Sequence, residues 1–172
     1  LQSPDDRELK ILGRIHNYEQ FLETYRSARD AGFDNINIDL MSAIPDQTYE
    51  GWIHNLRTVA GLDPEHISAY SLIIEEDTPF ASRTLNLPDE DAEYNMYEAT
   101  AQILREYGFE QYEISNYAKK GRECRHNVGY WIRQDYLGFG LGASSLYGKE
   151  RFANTQDMKK YLENSRTPEK IR

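Results

Sequence analysis

Cysteine is nearly absent from this sequence of 172 residues, which contains only Cys124. A single thiol cannot form an intrachain disulfide, as is typical of proteins from the reducing cytosol. Iron–sulfur clusters are held by several thiolates, and structural zinc sites use paired cysteines, so Cys124 alone supplies neither. The sequence therefore predicts a cytoplasmic protein without a cysteine-ligated cluster or structural zinc site, and Cys124 is either a single thiolate ligand or an inert thiol.

Long apolar runs and an excess of positive charge are also missing. No segment approaches the roughly 20 consecutive apolar residues that a helix needs to span a bilayer. The formal net charge is −9, from 29 acidic and 20 basic residues, whereas a nucleic-acid-binding domain normally carries a basic surface. We therefore expect neither a membrane span nor a nucleic-acid partner.

What the chain does contain is an alternation of helix and strand signals up to about residue 110. Capping residues, including a capping box from Asn17 to Gln20, predict helices, and short apolar or alternating runs predict strands. The longest helix is predicted to turn Tyr94, Tyr97, Ala101 and Leu104 toward the core. The predicted helices are 4–12, 18–31, 49–60 and 88–108; the predicted strands are 35–40 and 66–74, the second buried on both faces.

The alternation stops after residue 108, where strand signals at 111–118, 135–147 and 151–154 precede a tail at 157–172 that is predicted to be a polar helix and then a frayed end. We therefore predict an α/β fold: a partial TIM-like (β/α) barrel over 1–110, followed by an α+β antiparallel extension over 111–172. The chain has no initiator methionine and starts directly before a helix signal, so we expect a trimmed piece of a longer protein. A barrel without its first strands exposes an edge, through which we expect self-association.

Three polar residues are candidates for a ligand site. Asp39 lies near the C-terminal end of the strand over 35–40, the end that faces the active site in barrel folds. The alternative is that Asp39 only caps the next turn. Gln2 ends a predicted strand remnant, and Arg14 follows the first helix, from where it can reach back to a carboxylate. The alternative for Arg14 is a surface ion pair.

The segment from Cys124 to Trp131 is the densest cluster of reactive and aromatic side chains. If it is helical, Tyr130 lies one turn from His126 on the same face. An imidazole beside large aromatics suits a flat apolar ligand such as haem, whose iron takes an axial histidine. The alternative is a histidine hydrogen-bonded inside an aromatic core patch. The glycine-rich run over 138–142 lacks the Lys-Ser/Thr of a phosphate loop, so we expect it to serve close backbone packing.

Taken in order, six short segments resemble oxygen-independent coproporphyrinogen III oxidase and its relatives, a family of radical S-adenosylmethionine (SAM) proteins. They are 2–3, 12–16, 28–33, 37–41, 45–48 and 66–70. The later pattern His126-Asn127-x-x-Tyr130-Trp131 is similar to that of the HemW-type, haem chaperone-like branch of the family. The resemblance covers nearly the whole chain and implies a barrel of the radical SAM type.

The resemblance also implies which residues bind ligands. Gln2, Arg14, Asp39 and Met41 correspond to the family's SAM pocket, and His126 corresponds to a haem contact and candidate haem iron ligand. The family's Cys-x-x-x-Cys-x-x-Cys motif is absent, so the resemblance assigns SAM and a [4Fe–4S] cluster to a longer parent and no cluster ligand to this chain. We expect the fragment alone to be inactive and to bind no cofactor, and we assign no catalytic residue.

Three functions stay open at this point. The first is a HemW-like protein that binds haem and SAM and delivers haem to haem-using proteins. The second is an oxygen-independent coproporphyrinogen III oxidase, which decarboxylates propionate side chains of the porphyrinogen by radical chemistry. The third is a binding module without a cofactor. The pattern from His126 to Trp131 favours the first.

Overall fold

The computed structural model describes residues 1–76, 78 and 80–163, together with the backbone of 169–170. It divides the chain into two units, Leu1–Glu123 and Cys124–Arg172. Across the described residues, no helix is long and apolar enough to cross a membrane.

The helices of the first unit begin at capping side chains. Asp5, Asn17, Thr48 and Asp89 each accept a hydrogen bond from a backbone N–H of the first turn, which satisfies a donor that has no partner within the helix. Gln20 completes the predicted capping box at Asn17. In chain order the elements are α1 (Asp6–Ile11), α2 (Tyr18–Asp30), β1 (Asn37–Ser42), α3 (Tyr49–Ala60), β2 (His66–Ser71), α4 (Glu90–Glu106), β3 (Glu110–Gln111) and β4 (Asn116–Ala118).

The strands of this unit form one sheet in the order β1-β2-β4-β3. β1 and β2 are parallel, whereas β4 runs antiparallel to both of its neighbours. Gln2 makes a single parallel bridge with Leu40 on the free side of β1. The division after Glu123 falls later than the predicted boundary at residue 110, because the hairpin of β3 and β4 pairs with β2 and so belongs to the first sheet.

One face of this sheet packs in the apolar core, and the other carries polar side chains. Ile38 and Leu40 of β1, Ile67 of β2 and Tyr117 of β4 pack with Trp52 of α3 in the hydrophobic core. Because successive side chains of a strand point to opposite faces, the residues between them lie on the other face, which we call the open face. β2 ends at Ser71 rather than 74; its first four residues, 66–69, are buried on both faces as predicted, whereas Tyr70 is exposed.

The inward face of α4 differs from the prediction. Tyr94 and Tyr97 are 63% and 41% exposed, so their predicted inward orientation is wrong, whereas Leu104 is buried as expected. The rotation of the helix is set by Trp52, whose indole N–H donates to Thr100 Oγ1 at 2.9 Å. The buried positions of α4 are Met96, Ala99, Thr100, Ile103 and Leu104.

The second unit consists of short elements with a three-stranded antiparallel sheet in the order β5-β6-β7. The strand predicted over 135–147 forms only at its end, because Gly140 and Gly142 take positive φ angles of 108° and 69° that interrupt the extended chain. The elements are α5 (Arg125–Trp131), β5 (Ser144–Tyr147), β6 (Glu150–Ala153), α6 (Met158–Glu163) and β7 (Glu169–Lys170).

The tail over 157–172 begins with the predicted polar helix, which is α6. The backbone of 169–170 pairs with β6 as a strand, where a frayed end was expected. The remaining tail residues, 164–168 and 171–172, lie outside the described residues.

Candidate functional site

The open face of the first sheet collects polar side chains from three neighbouring strands. Asp39 lies in the middle of β1 rather than near its end, because the strand covers Asn37–Ser42 instead of 35–40. Side chains of directly paired residues lie on the same face of a sheet. The register places these pairs side by side on the open face: Asn37 with His66, Asp39 with Ser68, Met41 with Tyr70, and Ser68 with Asn116.

Gln2 is joined to β1 by its backbone. Its N–H donates to the Asp39 carbonyl at 2.8 Å, and its carbonyl accepts from the Met41 N–H at 2.8 Å. The φ angle of Gln2 is 75°, in the left-handed region that is unfavourable for a residue with a side chain. The two hydrogen bonds hold Gln2 in this conformation beside Asp39 and Met41.

Arg14 lies on the loop after α1, and its side chain is exposed. Burial raises the pKa of Tyr70, the Asp39 carboxylate raises this pKa further, and the Arg14 guanidinium acts in the opposite direction. A cation and a carboxylate therefore both act on Tyr70, the residue paired with Met41. Asp39 and Met41 therefore lie on the same face of β1, with the Gln2 backbone bonded beside them, and Arg14 lies on a loop whose charge reaches Tyr70.

A chain of hydrogen bonds runs across the open face and ends on Asp39. Asn37 Nδ2 donates to Asp39 Oδ1 at 2.7 Å, and Asn37 Oδ1 lies 2.6 Å from His66 Nδ1. An amide oxygen only accepts, so Nδ1 of His66 carries the proton. Nε2 of the neutral ring is then the acceptor for the Tyr112 hydroxyl, 2.8 Å away. The order of donation is Tyr112 to His66 to Asn37 to Asp39.

A second branch of the network ends on Glu113. The Ser68 hydroxyl donates to Asn116 Oδ1 at 2.6 Å, and Asn116 Nδ2 donates to the Glu113 carboxylate. Burial lowers the pKa of His66, while the Asp39 and Glu113 carboxylates act in the opposite direction. The desolvation effect is the larger one, so His66 is neutral at pH 7 and fits the role of acceptor.

The sequence-based prediction missed His66, Ser68 and Tyr112. The signal for the first two was the alternation His-Ile-Ser-Ala-Tyr at 66–70, which matches a strand with one open face. Tyr112 approaches from the hairpin, and no local pattern marks it.

His126 lies on α5 of the second unit, so the helix on which the sequence argument was conditional is present. Its ring centroid is 4.6 Å from that of Tyr130, at an interplanar angle of 78°, and the Tyr130 ring lies 4.7 Å from the Tyr136 ring. These edge-to-face contacts order the three rings. His126 is exposed, so it is not a histidine of a core patch.

A groove of about 750 Å³ opens beside these three rings, a volume within the range of small-molecule sites. Leu137 and Phe139 add apolar surface, and the Phe139 side chain is 88% exposed. Arg133 and Arg151 also line the groove, and guanidinium groups bind carboxylates through paired hydrogen bonds. The groove therefore suits a flat apolar molecule that carries carboxylates.

Cys124 precedes α5 at its N-cap position without a side-chain cap. Among the described residues, no group of three or more His, Cys, Asp and Glu side chains is arranged to hold a metal ion. The donor set of this chain does not fit a [4Fe–4S] cluster, because it offers one thiol.

The fold resembles that of coproporphyrinogen III oxidase (HemN) from Escherichia coli, described as a radical SAM enzyme. The TM-score is 0.80 at 21% sequence identity, over 98% of this chain and 43% of that one. No family model matches the chain. The match confirms the predicted α/β fold as a partial barrel of the radical SAM type.

Proteins that are similar in sequence narrow the class of protein further. Heme chaperone HemW from Bacillus subtilis is 39% identical over 95% of this chain and 44% of its own length. HemW from Haemophilus influenzae is 42% identical over 94% of this chain and 44% of its own length. The mouse radical S-adenosyl methionine domain-containing protein 1, mitochondrial, is 39% identical over 86% of this chain and 34% of its own length. The predicted relation to the HemW-type branch of radical SAM proteins is therefore confirmed, and the chain spans less than half of these relatives.

Proposed function

We propose that this chain is part of a HemW-like radical SAM protein that binds haem and SAM in the cytoplasm and delivers haem to haem-using proteins. The observation that carries the proposal is the 39% and 42% identity to heme chaperones over nearly the whole chain. The open face and the groove beside His126 support it, because one offers polar groups and the other offers aromatic and cationic groups. In this proposal the thiolates of the [4Fe–4S] cluster come from outside the segment.

The open face offers partners for the chemical groups of SAM. Arg14 suits the methionine carboxylate, since its planar guanidinium donates two parallel hydrogen bonds. Asp39 suits the amino group or a ribose hydroxyl, Gln2 both donates and accepts, and Met41 suits the adenine ring through its polarisable thioether. Bound beside a reduced cluster, SAM supplies a carbon-centred radical. The residues named here bind and orient it.

We expect Arg14→Ala and Asp39→Asn each to weaken SAM binding by about 1–3 kcal/mol, the usual effect of losing a charged hydrogen bond. Equilibrium dialysis measures the dissociation constant, using the longer protein that includes this segment, with its cluster assembled anaerobically. Arg7→Ala is the control, because Arg7 is an exposed arginine paired with Asp5. If both test variants bind SAM like the parent, SAM does not bind at the open face.

We expect His126→Ala to shift the Soret band of the haem complex and to weaken haem binding about tenfold or more, because the iron loses an axial imidazole. Absorption spectroscopy during haem titration of the longer protein measures both effects. His54→Ala is the matched control, since His54 is an exposed histidine on α3. An unchanged spectrum for His126→Ala would place the iron ligand elsewhere.

The alternative function is oxygen-independent coproporphyrinogen III oxidase, which the fold match with HemN favours. The groove beside His126 suits a porphyrinogen for the same reasons that it suits haem. An anaerobic assay of the longer protein with coproporphyrinogen III separates the two functions, because only the oxidase releases carbon dioxide from the propionates. Absence of both SAM binding and haem binding would leave the cofactor-free binding module.

We also propose that the free side of β1 mediates self-association of the segment, because Gln2 covers it with a single bridge and unpaired strand edges attract other strands. The segment alone is proposed to be inactive, since it supplies no ligand set for the cluster.

A further inference from the structure

We propose that Asn37 and His66 are positioning residues that orient the Asp39 carboxylate toward a ligand with hydrogen-bond donors on the open face. This inference rests on the proposed SAM site and names the residues that hold its carboxylate in position. The observation behind it is the continuous donation from Tyr112 through His66 and Asn37 to Asp39 Oδ1, with distances of 2.8, 2.6 and 2.7 Å.

The orientation of the Asn37 amide is fixed from both ends. The Asp39 carboxylate only accepts hydrogen bonds, so it must face the amide NH₂ of Asn37. The amide oxygen then faces His66 Nδ1 at 2.6 Å and the Ser68 hydroxyl at 3.2 Å. A rotated amide would set its oxygen against the Asp39 carboxylate and its NH₂ against the Nδ1–H of His66, which would lose both contacts.

His66 links the hairpin of β3 and β4 to β1 through hydrogen bonds to Tyr112 and Asn37. Its ring is nearly buried, with 5% of its surface exposed, and it contacts the Tyr112 ring edge-on at a centroid distance of 5.6 Å. The Asn37 oxygen only accepts, so Nδ1 carries the proton and Nε2 of the neutral ring is unprotonated. The Tyr112 hydroxyl, which can donate or accept, then donates to Nε2 and holds the ring in place.

These hydrogen bonds leave the two carboxylate oxygens of Asp39 in different environments. Oδ1 is held by Asn37, whereas within the described part of the chain Oδ2 accepts no hydrogen bond from another side chain. The carboxylate is thus fixed at one oxygen and open at the other, on a face that it shares with Met41 and Tyr70. Such fixing lowers the ordering cost of ligand binding, which is how supporting residues strengthen a site.

The test measures SAM dissociation constants for the longer, cluster-loaded protein carrying Asn37→Ala, Asn37→Asp or Asn116→Ala. We expect Asn37→Ala to weaken binding about tenfold. Asn37→Asp keeps the shape and the acceptor for His66 but removes the donor and repels Asp39, so it weakens binding at least as much. Asn116→Ala is the matched control, because Asn116 makes the same kind of bond to Glu113 on the same face. We expect its affinity to stay within twofold of the parent.

Three outcomes overturn the proposal. One is a milder effect for Asn37→Asp than for Asn37→Ala, which is what a packing role predicts. A second is an equal loss in Asn116→Ala, and a third is a further loss when Asn37→Ala is added to Asp39→Asn, because an effect that acts through Asp39 cannot add to its removal. If Asn37→Ala does not fold, His66→Phe replaces it, and unchanged affinity there also overturns the proposal.

Failure of this inference differs from failure of the proposed function. If Asp39→Asn weakens SAM binding and the Asn37 variants do not, the positioning role is wrong and the SAM site stands. If neither Asp39→Asn nor Arg14→Ala has an effect, the SAM site itself is wrong. A nitrogen NMR spectrum of the parent adds a direct check, since the proposal requires the Nδ1–H tautomer at His66.

Discussion

We expect Trp52→Ala to lower the free energy of unfolding of the first unit by about 3–5 kcal/mol. The indole is 1% exposed in the core, and its N–H donates to the Met96 carbonyl at 3.2 Å and to Thr100 Oγ1 at 2.9 Å. The substitution leaves a cavity and removes the link between α3 and α4. Since whole domains are stable by about 5–15 kcal/mol, this is a large share of the total.

Urea denaturation followed by far-ultraviolet circular dichroism measures the change, because the substitution removes a fluorescent probe. Tyr94→Ala is the control: it also removes a large aromatic residue, but one that is exposed on α4. We expect the control to stay within about 0.5 kcal/mol of the parent. A loss below about 1 kcal/mol for Trp52→Ala would mean that the core closes around the missing indole, contrary to the packing described here.

The features that the sequence predicted well are local ones. The capping box from Asn17 to Gln20 depends on residues within one turn, and it was predicted correctly, as was helix α3. The inward face of α4 was predicted wrongly, because it depends on the hydrogen bond between Trp52 and Thr100, which are 48 residues apart. Tyrosine adds to the error, since its ring suits a core while its hydroxyl favours water.

The same difference between local and long-range features applies to the candidate site. Asp39, Arg14 and Gln2 were proposed through the resemblance to a family, and their joint role stays a prediction; the structure joins the Gln2 backbone to β1 beside Asp39. The bonds that support Asp39 join residues 29 and 46 apart in the chain. Such pairs follow from strand register and from the hairpin docking on β2, and no spacing rule along the sequence reports them.

We expect Gly138→Ala to destabilise the second unit by about 3 kcal/mol and to weaken haem binding with it, because this glycine lies where two backbone segments touch. An ideal Cβ at Gly138 would lie 2.2 Å from the Ser144 carbonyl oxygen and 3.0 Å from its carbon. Backbone atoms of a paired strand cannot yield as a side-chain tip does, so the loop must move. That loop carries Leu137 and Phe139 into the groove beside His126, which joins the stability of the unit to the shape of the site.

Amide hydrogen exchange of β5 and haem titration together measure this effect, and Gly129→Ala provides the matched control. A Cβ at Gly129 would approach only the Gln134 side chain, at 3.2 Å, and alanine favours the helix α5 by roughly 0.5–1 kcal/mol. The control should therefore exchange as slowly as the parent or more slowly. If Gly138→Ala leaves exchange in β5 unchanged, the glycine-rich run does not pack against the strand. If exchange rises while haem affinity holds, the groove beside His126 is not where haem binds.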